Sequence, residues 1–455
     1  MDKTTQTLAN YVTTLDYGAL PDATVREAKK RVVDGIACAI GGYSSEPARI
    51  ARRVAGNISG TPAARLFGTG KATSMEMAAF ANAVMVRYLD FNDTYIAKGS
   101  GHPSDMLAAI LAVAEAQRCS GKDALLATVI AYEVYTALAD VIGLRDLGWD
   151  QGVFAVLGTA AGVAKLLKLS VAQTGDALAI AATANIPTRQ TRSGELAMWK
   201  GVATAAAVRS GVSAVLLAQA GMTGPTAAFE GRHGVWEQVT GKFQLGAMGG
   251  NGVPFGITRS NLKFFPAEYH SQAPSWIALE LRKKVAIADI AAIDVQTYYT
   301  AWSEIGSEPE KWNPKTRETA DHSLPYLLAL ALVDGRITVD SFSAQRMGDA
   351  QLRALMNRIK ITENKSFTER FPGELVTQID VTTHGGQRIS ETAQYPKGHA
   401  KNPMSDADVE AKFNILCEGL MPVTQRDGLL KTLWQLDQAA DLNGVLDLLM
   451  LEQPA

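Results

Sequence analysis

The feature of this chain that most constrains its fold is a long series of apolar segments with helical spacing. Between about residues 22 and 220, apolar side chains recur three or four positions apart, and alanine and glycine fill many of the places between them. One such segment carries Val25, Ala28, Val32 and Ile36 on one face and ends at a pair of glycines. Because small side chains allow helices to approach closely, this part of the chain predicts a compact, all-helical domain.

The pattern changes near residue 257, where segments typical of strands appear. Residues 293–299 alternate and are rich in β-branched side chains, and residues 375–393 predict a hairpin around the turn His384–Gln387. Helical spacing returns towards the C-terminus. The predicted fold is therefore mainly α, with a discontinuous all-helical domain formed by residues 1–267 and 404–455, and a smaller α+β domain formed by residues 268–403.

Composition excludes several classes of function. A formal net charge of −2 gives no electrostatic support for binding to nucleic acid or to an acidic membrane surface. The three cysteines, Cys38, Cys119 and Cys417, are odd in number and far apart, which indicates a reducing compartment and opposes a disulfide framework or an iron–sulfur cluster. No glycine-rich nucleotide-binding motif follows a strand. The N-terminus has no signal-peptide core and no segment is predicted to span a membrane, so we expect a cytoplasmic protein.

A short segment near residues 90–103 contains side chains suited to proton transfer. It carries two carboxylates, Asp90 and Asp93, then Thr94 and His102, and Pro103 follows directly. Proline suits the first position of a helix, so His102 is predicted at or near the N-cap, where free N–H groups favour an anionic ligand. The alternative is an ordinary loop in which the carboxylates cap turns and the histidine has only a structural role.

Further candidate residues lie in polar segments elsewhere, and each has a plain structural alternative. Arg192 and Lys200 lie in a polar loop and could receive carboxylates or be solvated. Lys263 and His270 flank a proline-containing segment; the first could be a surface lysine and the second a helix cap. Tyr326 borders an apolar run, which is typical of a core aromatic residue. The remaining histidines, His233, His384 and His399, are predicted in turns.

Five motifs together make the chain resemble the MmgE/PrpD family over nearly its full length. They are LDFNDT followed by GHPSD (Leu89 to Asp105), GMTGP with FEGRHGVW (Gly221 to Trp236), FPAEYHSQ (Phe265 to Gln272), DHSLPY (Asp321 to Tyr326) and YP-x-GH (Tyr395 to His399). Each motif is weak alone, but the combination is specific. The FNDT and FPAEYHSQ forms are most similar to those of the family's 2-methylcitrate dehydratases.

The resemblance implies a fold, an assembly and a site. The implied fold is a large all-helical domain with a smaller α+β lid domain, and the implied active site lies in the cleft between them. The implied assembly is a homodimer. The resemblance also implies that the protein uses no metal and no other cofactor. The matched site positions are Asp90, Thr94, His102, Lys263, His270 and Tyr326, with Asp93 and His322 inside the same motifs. The loop from Thr191 to Gly201 departs from the pattern, because the substrate-binding lysine of some members does not align cleanly with Lys200.

Family members act on small di- and tricarboxylates, as dehydratases, decarboxylases or epimerases. Dehydration of a β-hydroxy acid needs a base, an acid and positive charge for the developing dianion. His102 and His270 are the candidate proton carriers, and Asp90 or Asp93 could orient His102. Side chains that could bind the substrate or assist protonation are Thr94, Arg192, Lys200, Lys263, His322 and Tyr326. Which residue is base and which is acid stays open.

The predicted function is therefore that of a metal-independent hydro-lyase that dehydrates 2-methylcitrate, citrate or a related small polycarboxylate. Such an activity belongs to propionate metabolism when the substrate is 2-methylcitrate. One alternative is a decarboxylase of the cis-aconitate type or an epimerase, since both could use the same side chains. A second alternative, from another class, is a non-catalytic homologue that binds carboxylates without turnover.

Overall fold

Helices dominate the computed structural model, which describes residues 1–451: 57% of the chain is helical and 10% is strand. The mainly α prediction is confirmed. Contacts between residues divide the chain into two units. Unit 1 comprises Met1–Thr191, Gly201–Ser260 and Ser405–Ala455, and unit 2 comprises Arg192–Lys200 and Asn261–Met404.

Unit 1 begins with nine helices and two short antiparallel sheets. The helices are α1 (Lys3–Thr14), α2 (Asp22–Gly42), α3 (Glu46–Ala55), α4 (Met75–Tyr88), α5 (Leu107–Ala116), α6 (Gly121–Val141), α7 (Gly152–Leu166), α8 (Val171–Ala184) and α9 (Ala203–Gln219). One sheet pairs β1 (Ala63–Arg65) with β2 (Ala72–Ser74), and the other pairs β3 (Tyr95–Ile96) with β4 (Ser100–Gly101). The all-helical prediction for this part therefore omitted two hairpins, the second of which leads directly to His102.

Glycine allows α6 and α7 to pack closely. A Cβ atom on Gly158 would lie 2.7 Å from the carbonyl oxygen of Ala131, and one on Gly162 would lie 2.8 Å from that of Ala127. The two glycines are four residues apart and therefore lie on one face of α7. The abundance of small residues in the sequence is thus explained by close helix–helix approach.

The starts of α6 and α4 show that a capping box forms only if the hydroxyl group has no other hydrogen-bond partner. The side chain of Ser120 accepts a hydrogen bond from the Asp123 N–H, and Asp123 returns one to the Ser120 N–H, which completes a capping box at α6. Thr73–Glu76 has the sequence pattern of a capping box, but no box forms there, because the Thr73 hydroxyl instead donates to the carbonyls of Ala55 and Ile58. Helix α4 still begins there, after Ser74.

Helix α6 corrects the prediction that no segment resembles a membrane span. Its 21 residues are long and apolar enough to cross a membrane, and it is the one such helix among residues 1–451. Within the chain, however, 89% of its most apolar window is buried. The core helix of a folded domain has the same composition, so this helix is weak evidence for a membrane segment.

Unit 2 contains a four-stranded mixed sheet and eight helices among its described residues. The strands are β5 (Ile290–Thr297), β6 (Ile359–Glu363), β7 (Thr377–Thr383) and β8 (Arg388–Ala393), in the order β6-β5-β7-β8. The helices are α10 (Gln272–Arg282), α11 (Tyr299–Ile305), α12 (Pro309–Trp312), α13 (Arg317–Ala320), α14 (Leu324–Asp334), α15 (Ala344–Met347), α16 (Ala350–Met356) and α17 (Lys365–Thr368). The predicted first strand and the β7–β8 hairpin are confirmed.

The sheet of unit 2 also contains a strand that was not predicted. Strand β6 pairs in parallel with β5, with Ile293 opposite Ile359 and Val295 opposite Ile361. These apolar side chains belong to the core that the sheet shares with α10 and α14. A five-residue strand reached after several short helices carries too little periodic signal to predict locally.

Unit 1 ends with three helices, α18 (Asp406–Cys417), α19 (Val423–Trp434) and α20 (Asn443–Asp447). Helix α18 packs against α2. At its start, Asp406 forms ion pairs with Arg26 and Lys30 of α2, and further along, Lys412 forms a buried pair with Asp34. The helix is therefore fixed to α2 at two separate places.

Candidate active site

The hairpin of β3 and β4 places His102 at the start of a helix. His102 is the N-cap of a 3₁₀ turn, Pro103–Met106, that continues into α5, which confirms the predicted N-cap position. The His102 N–H donates to Oε1 of Gln151 at 2.5 Å, and the Tyr135 hydroxyl donates to the same oxygen at 2.9 Å. Glycine before the histidine leaves room for this contact, because a Cβ on Gly101 would lie 1.7 Å from that oxygen and would displace the Gln151 side chain.

A backbone carbonyl determines which nitrogen of the His102 ring carries hydrogen. Nδ1 lies 2.7 Å from the carbonyl oxygen of Asp93, and a carbonyl can only accept, so Nδ1 must donate. The Thr94 hydroxyl lies 3.1 Å from the same nitrogen. In the neutral ring, Nε2 is therefore the basic nitrogen, and it lies 3.8 Å from Oδ1 of Asp90.

Asp90 is buried and adopts a left-handed backbone conformation, with φ of +52°. Its carboxylate pairs with Nη1 of Arg87 at 2.5 Å, three residues earlier in the last turn of α4. Asp105 lies on the other side of this arginine, with Oδ2 3.8 Å from Nε. One buried guanidinium thus balances two carboxylates, and one of them faces the basic nitrogen of His102.

The backbone carbonyl of Asp93 contacts His102, while the Asp93 side chain forms hydrogen bonds that hold its own turn in place. Oδ1 accepts the Ser104 N–H at 2.9 Å, and Oδ2 accepts the Tyr132 hydroxyl at 2.9 Å, with Nε of Arg31 3.8 Å away. Burial and the nearby Asp93 charge raise the pKa of Tyr132 well above its usual value, so the phenol stays a donor. The geometry supports a positioning role for the Asp93 side chain.

Unit 2 contains a compact group formed by Lys200, Asp321 and His322. The Asp321 Oδ1 atom lies 2.5 Å from Nδ1 of His322 and 3.5 Å from Nζ of Lys200. The lysine is 2% exposed, although it was predicted in a polar loop. Since a carboxylate accepts, Nδ1 of His322 carries hydrogen and Nε2 is left as the second basic imidazole nitrogen. Arg192 is half-buried, and its Nη1 lies 3.5 Å from the Lys200 carbonyl.

His270 has the opposite arrangement of ring hydrogens from His102. Its Nδ1 lies 2.5 Å from the hydroxyl of Tyr298, and its Nε2 lies 3.8 Å from Oε1 of Glu268. Burial raises the pKa of Tyr298 well above its usual value, with a smaller effect from Glu268, so the phenol keeps its proton and donates to Nδ1. Nε2 of His270 therefore carries hydrogen. The Tyr298 ring also stacks on Phe371, with centroids 4.9 Å apart.

The segment that carries Lys263 is held by the turn of the YP-x-GH motif. The Leu262 N–H donates to the Gly398 carbonyl at 2.9 Å, and Oδ1 of Asn261 accepts the Ala400 N–H at 2.8 Å. Nδ1 of His399 accepts the Lys401 N–H, and burial lowers the pKa of His399 to about 4, so the ring is neutral. Lys263 is fully buried.

Tyr326 has the environment of a core residue. Its ring is buried among the apolar side chains of unit 2, and its hydroxyl donates to the carbonyl of Ser341 at 2.7 Å. Burial raises the pKa of this phenol above its usual value. These contacts match the structural alternative that the sequence left open for this tyrosine.

Comparison with known proteins identifies the family. Residues 6–247 match the MmgE/PrpD N-terminal domain, and residues 265–437 match the MmgE/PrpD C-terminal domain. The chain belongs to the MmgE/PrpD family. The expected resemblance is therefore confirmed, and both matched segments contain residues of the candidate site.

Several curated members of the MmgE/PrpD family are similar to the chain over most of its length. A mitochondrial 2-methylcitrate dehydratase of Yarrowia lipolytica is 28% identical over 88% of this chain and 80% of its own length. A 2-methylcitrate dehydratase of Escherichia coli K12 is 28% identical, covering 85% of both chains. The human cis-aconitate decarboxylase is 25% identical over 99% of this chain and 95% of its own length.

The structure adds residues to the site of this MmgE/PrpD member that the sequence analysis missed. Arg87 precedes Asp90 by three positions, a helical spacing that could have indicated the ion pair. Asp321 directly precedes His322 in a motif that was noticed for the histidine alone. Gln151, directly before α7, and Tyr132, in α6, lie far along the chain from His102, and no local signal could have identified them.

Unit 2 also contains side chains of the kind that binds divalent cations. Ligand atoms of Glu268, His270 and Glu304 lie within 4.8 Å of one another. Carboxylate and imidazole groups at this spacing are chemically suited to a metal ion. The predicted independence from metal therefore needs a direct test.

Proposed function

We propose that this chain is a metal-independent hydro-lyase that removes water from 2-methylcitrate, citrate or a related small polycarboxylate by general acid/base catalysis. Membership of the MmgE/PrpD family and the similarity to 2-methylcitrate dehydratases support this assignment. The observation that carries it is the fixed ring of His102, whose Nδ1 donates to the Asp93 carbonyl and whose Nε2 stays basic beside the Asp90 carboxylate.

In the proposed reaction, His102 is the base. Nε2 takes a proton from the carbon next to a substrate carboxylate, the C–H electron pair forms the new double bond, and the C–O bond breaks. The ring becomes an imidazolium, which the nearby Asp90 carboxylate stabilises. The tautomer is set in advance by a backbone contact, so the ring needs no rearrangement before proton transfer.

His270 is the proposed donor to the departing hydroxide. Its Nε2 carries hydrogen in the neutral ring, because Tyr298 donates to Nδ1. When the ring is protonated, Nδ1 donates to the phenol oxygen instead, and Nε2 can deliver a proton, so that water leaves. Lys200, Lys263 and Arg192 supply positive charge for substrate carboxylates. Thr94 and His322 complete the set of residues proposed to contact the substrate, and Tyr326 is kept in the proposal only as a buried support, since its hydroxyl donates to the Ser341 carbonyl.

The domain boundaries, the oligomeric state and the cellular location belong to the same proposal. We propose residues 1–267 with 404–455 as the large helical domain and residues 268–403 as an α+β lid domain, while the contacts group Arg192–Lys200 and the segment from Asn261 with unit 2. The active protein is a homodimer in the cytoplasm. Size-exclusion chromatography with light scattering checks the assembly, since a monomer would have the calculated mass of 48.5 kDa.

The test is a chelator-treated incubation with 2-methylcitrate, citrate, cis-aconitate and smaller hydroxy acids, followed by proton NMR of the products. An unsaturated product that has lost one water is expected, at the same rate before and after chelation. A rate that falls with the chelator and returns with a divalent cation would assign the Glu268–His270–Glu304 group to metal binding instead. Saturable binding without turnover of any compound would favour a non-catalytic carboxylate-binding protein.

A decarboxylase is the second candidate, because the similarity to human cis-aconitate decarboxylase extends over 99% of this chain. Decarboxylation needs a proton donor but no base, so His270 or His322 could serve it without His102. Release of carbon dioxide from cis-aconitate in the same incubation would identify this reaction. Exchange of a substrate proton with solvent and inversion at that carbon would identify an epimerase.

A further inference from the structure

We propose that Lys412 is a positioning residue for the candidate base. By binding the carbonyl of Phe91, it holds the turn of Asn92, Asp93 and Thr94 in the conformation that fixes the His102 ring. The proposal deepens the proposed function and rests on it, because it concerns the same proton acceptor. Lys412 lies outside every motif that the sequence analysis singled out.

The contacts of Lys412 join the C-terminal part of unit 1 to the LDFNDT motif. Nζ donates to the Phe91 carbonyl at 2.6 Å and pairs with Oδ1 of Asp34 at 2.6 Å. The same ammonium lies 3.8 Å from the centroid of the Phe91 ring, within the range of a cation–π contact. Lys412 and Asp34 are both almost completely buried, so each depends on the other for charge compensation.

Phe91 lies two residues before the carbonyl that sets the His102 tautomer. Its own carbonyl belongs to the peptide that begins the turn, while the Asp93 carbonyl accepts from Nδ1 of His102 at 2.7 Å. The side chains of the turn are held on the other side, by Ser104 and Tyr132. Without the lysine, one end of the turn loses its charged donor, and the Asp93 carbonyl can move away from the ring.

The attachment of α18 to α2 does not depend on this lysine alone. Asp406, six residues earlier in α18, forms ion pairs with Arg26 and Lys30. These pairs are more exposed than the pair of Lys412 with Asp34. Asp406→Asn is therefore a matched control that weakens the same helix contact without changing the donor to Phe91.

The experiment compares the wild-type chain with Lys412→Met and with the double variant Lys412→Met/Asp34→Asn. The double variant leaves no lone buried carboxylate, so it protects the test against a simple failure to fold. The first readout is side-chain ¹⁵N NMR of the histidines, in which the His102 signals are identified by their absence in His102→Asn. The second is kcat and KM for the compound that the wild-type chain converts fastest.

In the wild-type chain, we expect the ¹⁵N signals of the His102 ring to be those of one protonated and one unprotonated nitrogen, as for a single tautomer. In both Lys412 variants, we expect the two signals to lie at intermediate positions, as for a ring that exchanges between tautomers. The kcat should fall by roughly 10²-fold with little change in KM, because a displacement of about 1 Å has an effect of this size. Asp406→Asn should leave both readouts unchanged. The proposal is overturned if the folded double variant keeps the single tautomer, or if Asp406→Asn reproduces the loss.

The two hypotheses fail in different ways. If the wild-type chain converts no polycarboxylate but the Lys412 variants still lose the single tautomer, the proposed function is wrong while the positioning of His102 stands. If the wild-type chain dehydrates its substrate but the variants keep the tautomer and kcat, the proposed function stands and the role of Lys412 is wrong.

Discussion

At the scale of single residues, the chemistry of His102 depends on a backbone carbonyl as well as on neighbouring side chains. The Asp93 carbonyl selects the tautomer, and Gln151 binds the His102 N–H. Sequence analysis could identify the histidine and its N-cap position, because Pro103 marks the helix start. It could not predict the tautomer, since that requires the position of a carbonyl nine residues earlier.

Asp90→Asn tests the carboxylate that faces His102. Asparagine tolerates the left-handed backbone conformation at this position, so the turn should keep its shape while the charge beside Nε2 is lost. We expect kcat to fall by roughly 10- to 100-fold, because the imidazolium formed in the reaction loses its stabilising partner. Steady-state kinetics checks this.

The control for this variant is Asp294→Asn, which changes an exposed aspartate of β5. It should have no effect on kcat. Full activity of Asp90→Asn, with circular dichroism like that of the wild-type chain, would remove Asp90 from the mechanism.

His399 predicts a dependence of stability on pH. Its pKa is about 4 in the folded chain, below the ordinary value of 6.5, because the ring is buried. The unfolded chain therefore binds more protons between these values, so the contribution of His399 is complete above pH 6.5 and is lost as pH falls towards 4. The loss is about 3 kcal/mol at most.

His399→Asn should reduce this loss, because the amide oxygen can still accept the Lys401 N–H and does not titrate. Denaturant unfolding at pH 7 and pH 4.5 measures it, with the exposed His384→Asn as the control. An equal loss of unfolding free energy in the His399 variant and the wild-type chain would show that other groups dominate the acid sensitivity.

At the scale of elements, periodicity predicted most helices and the β7–β8 hairpin, and it failed where structure depends on long-range contacts. Helix α2 ends at the predicted pair of glycines, and Pro21 lies directly before its first residue. The β3–β4 hairpin has only two residues in each strand, too short for a pattern. Lys200 lies in a polar loop, but it is buried because Asp321 compensates its charge, and only the folded unit supplies that partner.

Gly158→Ala tests the close packing of α6 and α7. The new Cβ would lie 2.7 Å from the Ala131 carbonyl oxygen, so the helices must separate. We expect the free energy of unfolding to fall by about 1–3 kcal/mol, the usual cost of overpacking. Denaturant melts check this against Gly444→Ala in α20, where a Cβ would meet nothing within 4 Å.

Gly444→Ala should leave stability unchanged or slightly higher, since alanine favours a helix. If Gly158→Ala were as stable as this control, glycine would not be what sets the distance between α6 and α7.

At the scale of the whole molecule, family membership was predictable but the supporting residues of the site were not. Five motifs spread over the chain identified the MmgE/PrpD family, which the two domain matches confirm. The side chains that bind residues of these motifs lie far from them in the sequence. Gln151 is 49 residues from His102, and Lys412 is 321 residues from Phe91. Such pairings arise only from tertiary packing, so a single sequence contains no local pattern for them.

The most direct test of the central claim is to measure, by proton NMR, the rate at which the wild-type chain and His102→Asn remove water from 2-methylcitrate. The asparagine amide can still donate to the Asp93 carbonyl, but it has no basic nitrogen in place of Nε2. With exposed His233→Asn as the control, we predict that the His102 variant stays folded and loses water roughly 10²- to 10⁴-fold more slowly. Water loss at the wild-type rate by folded His102→Asn would contradict the assignment of His102 as the base.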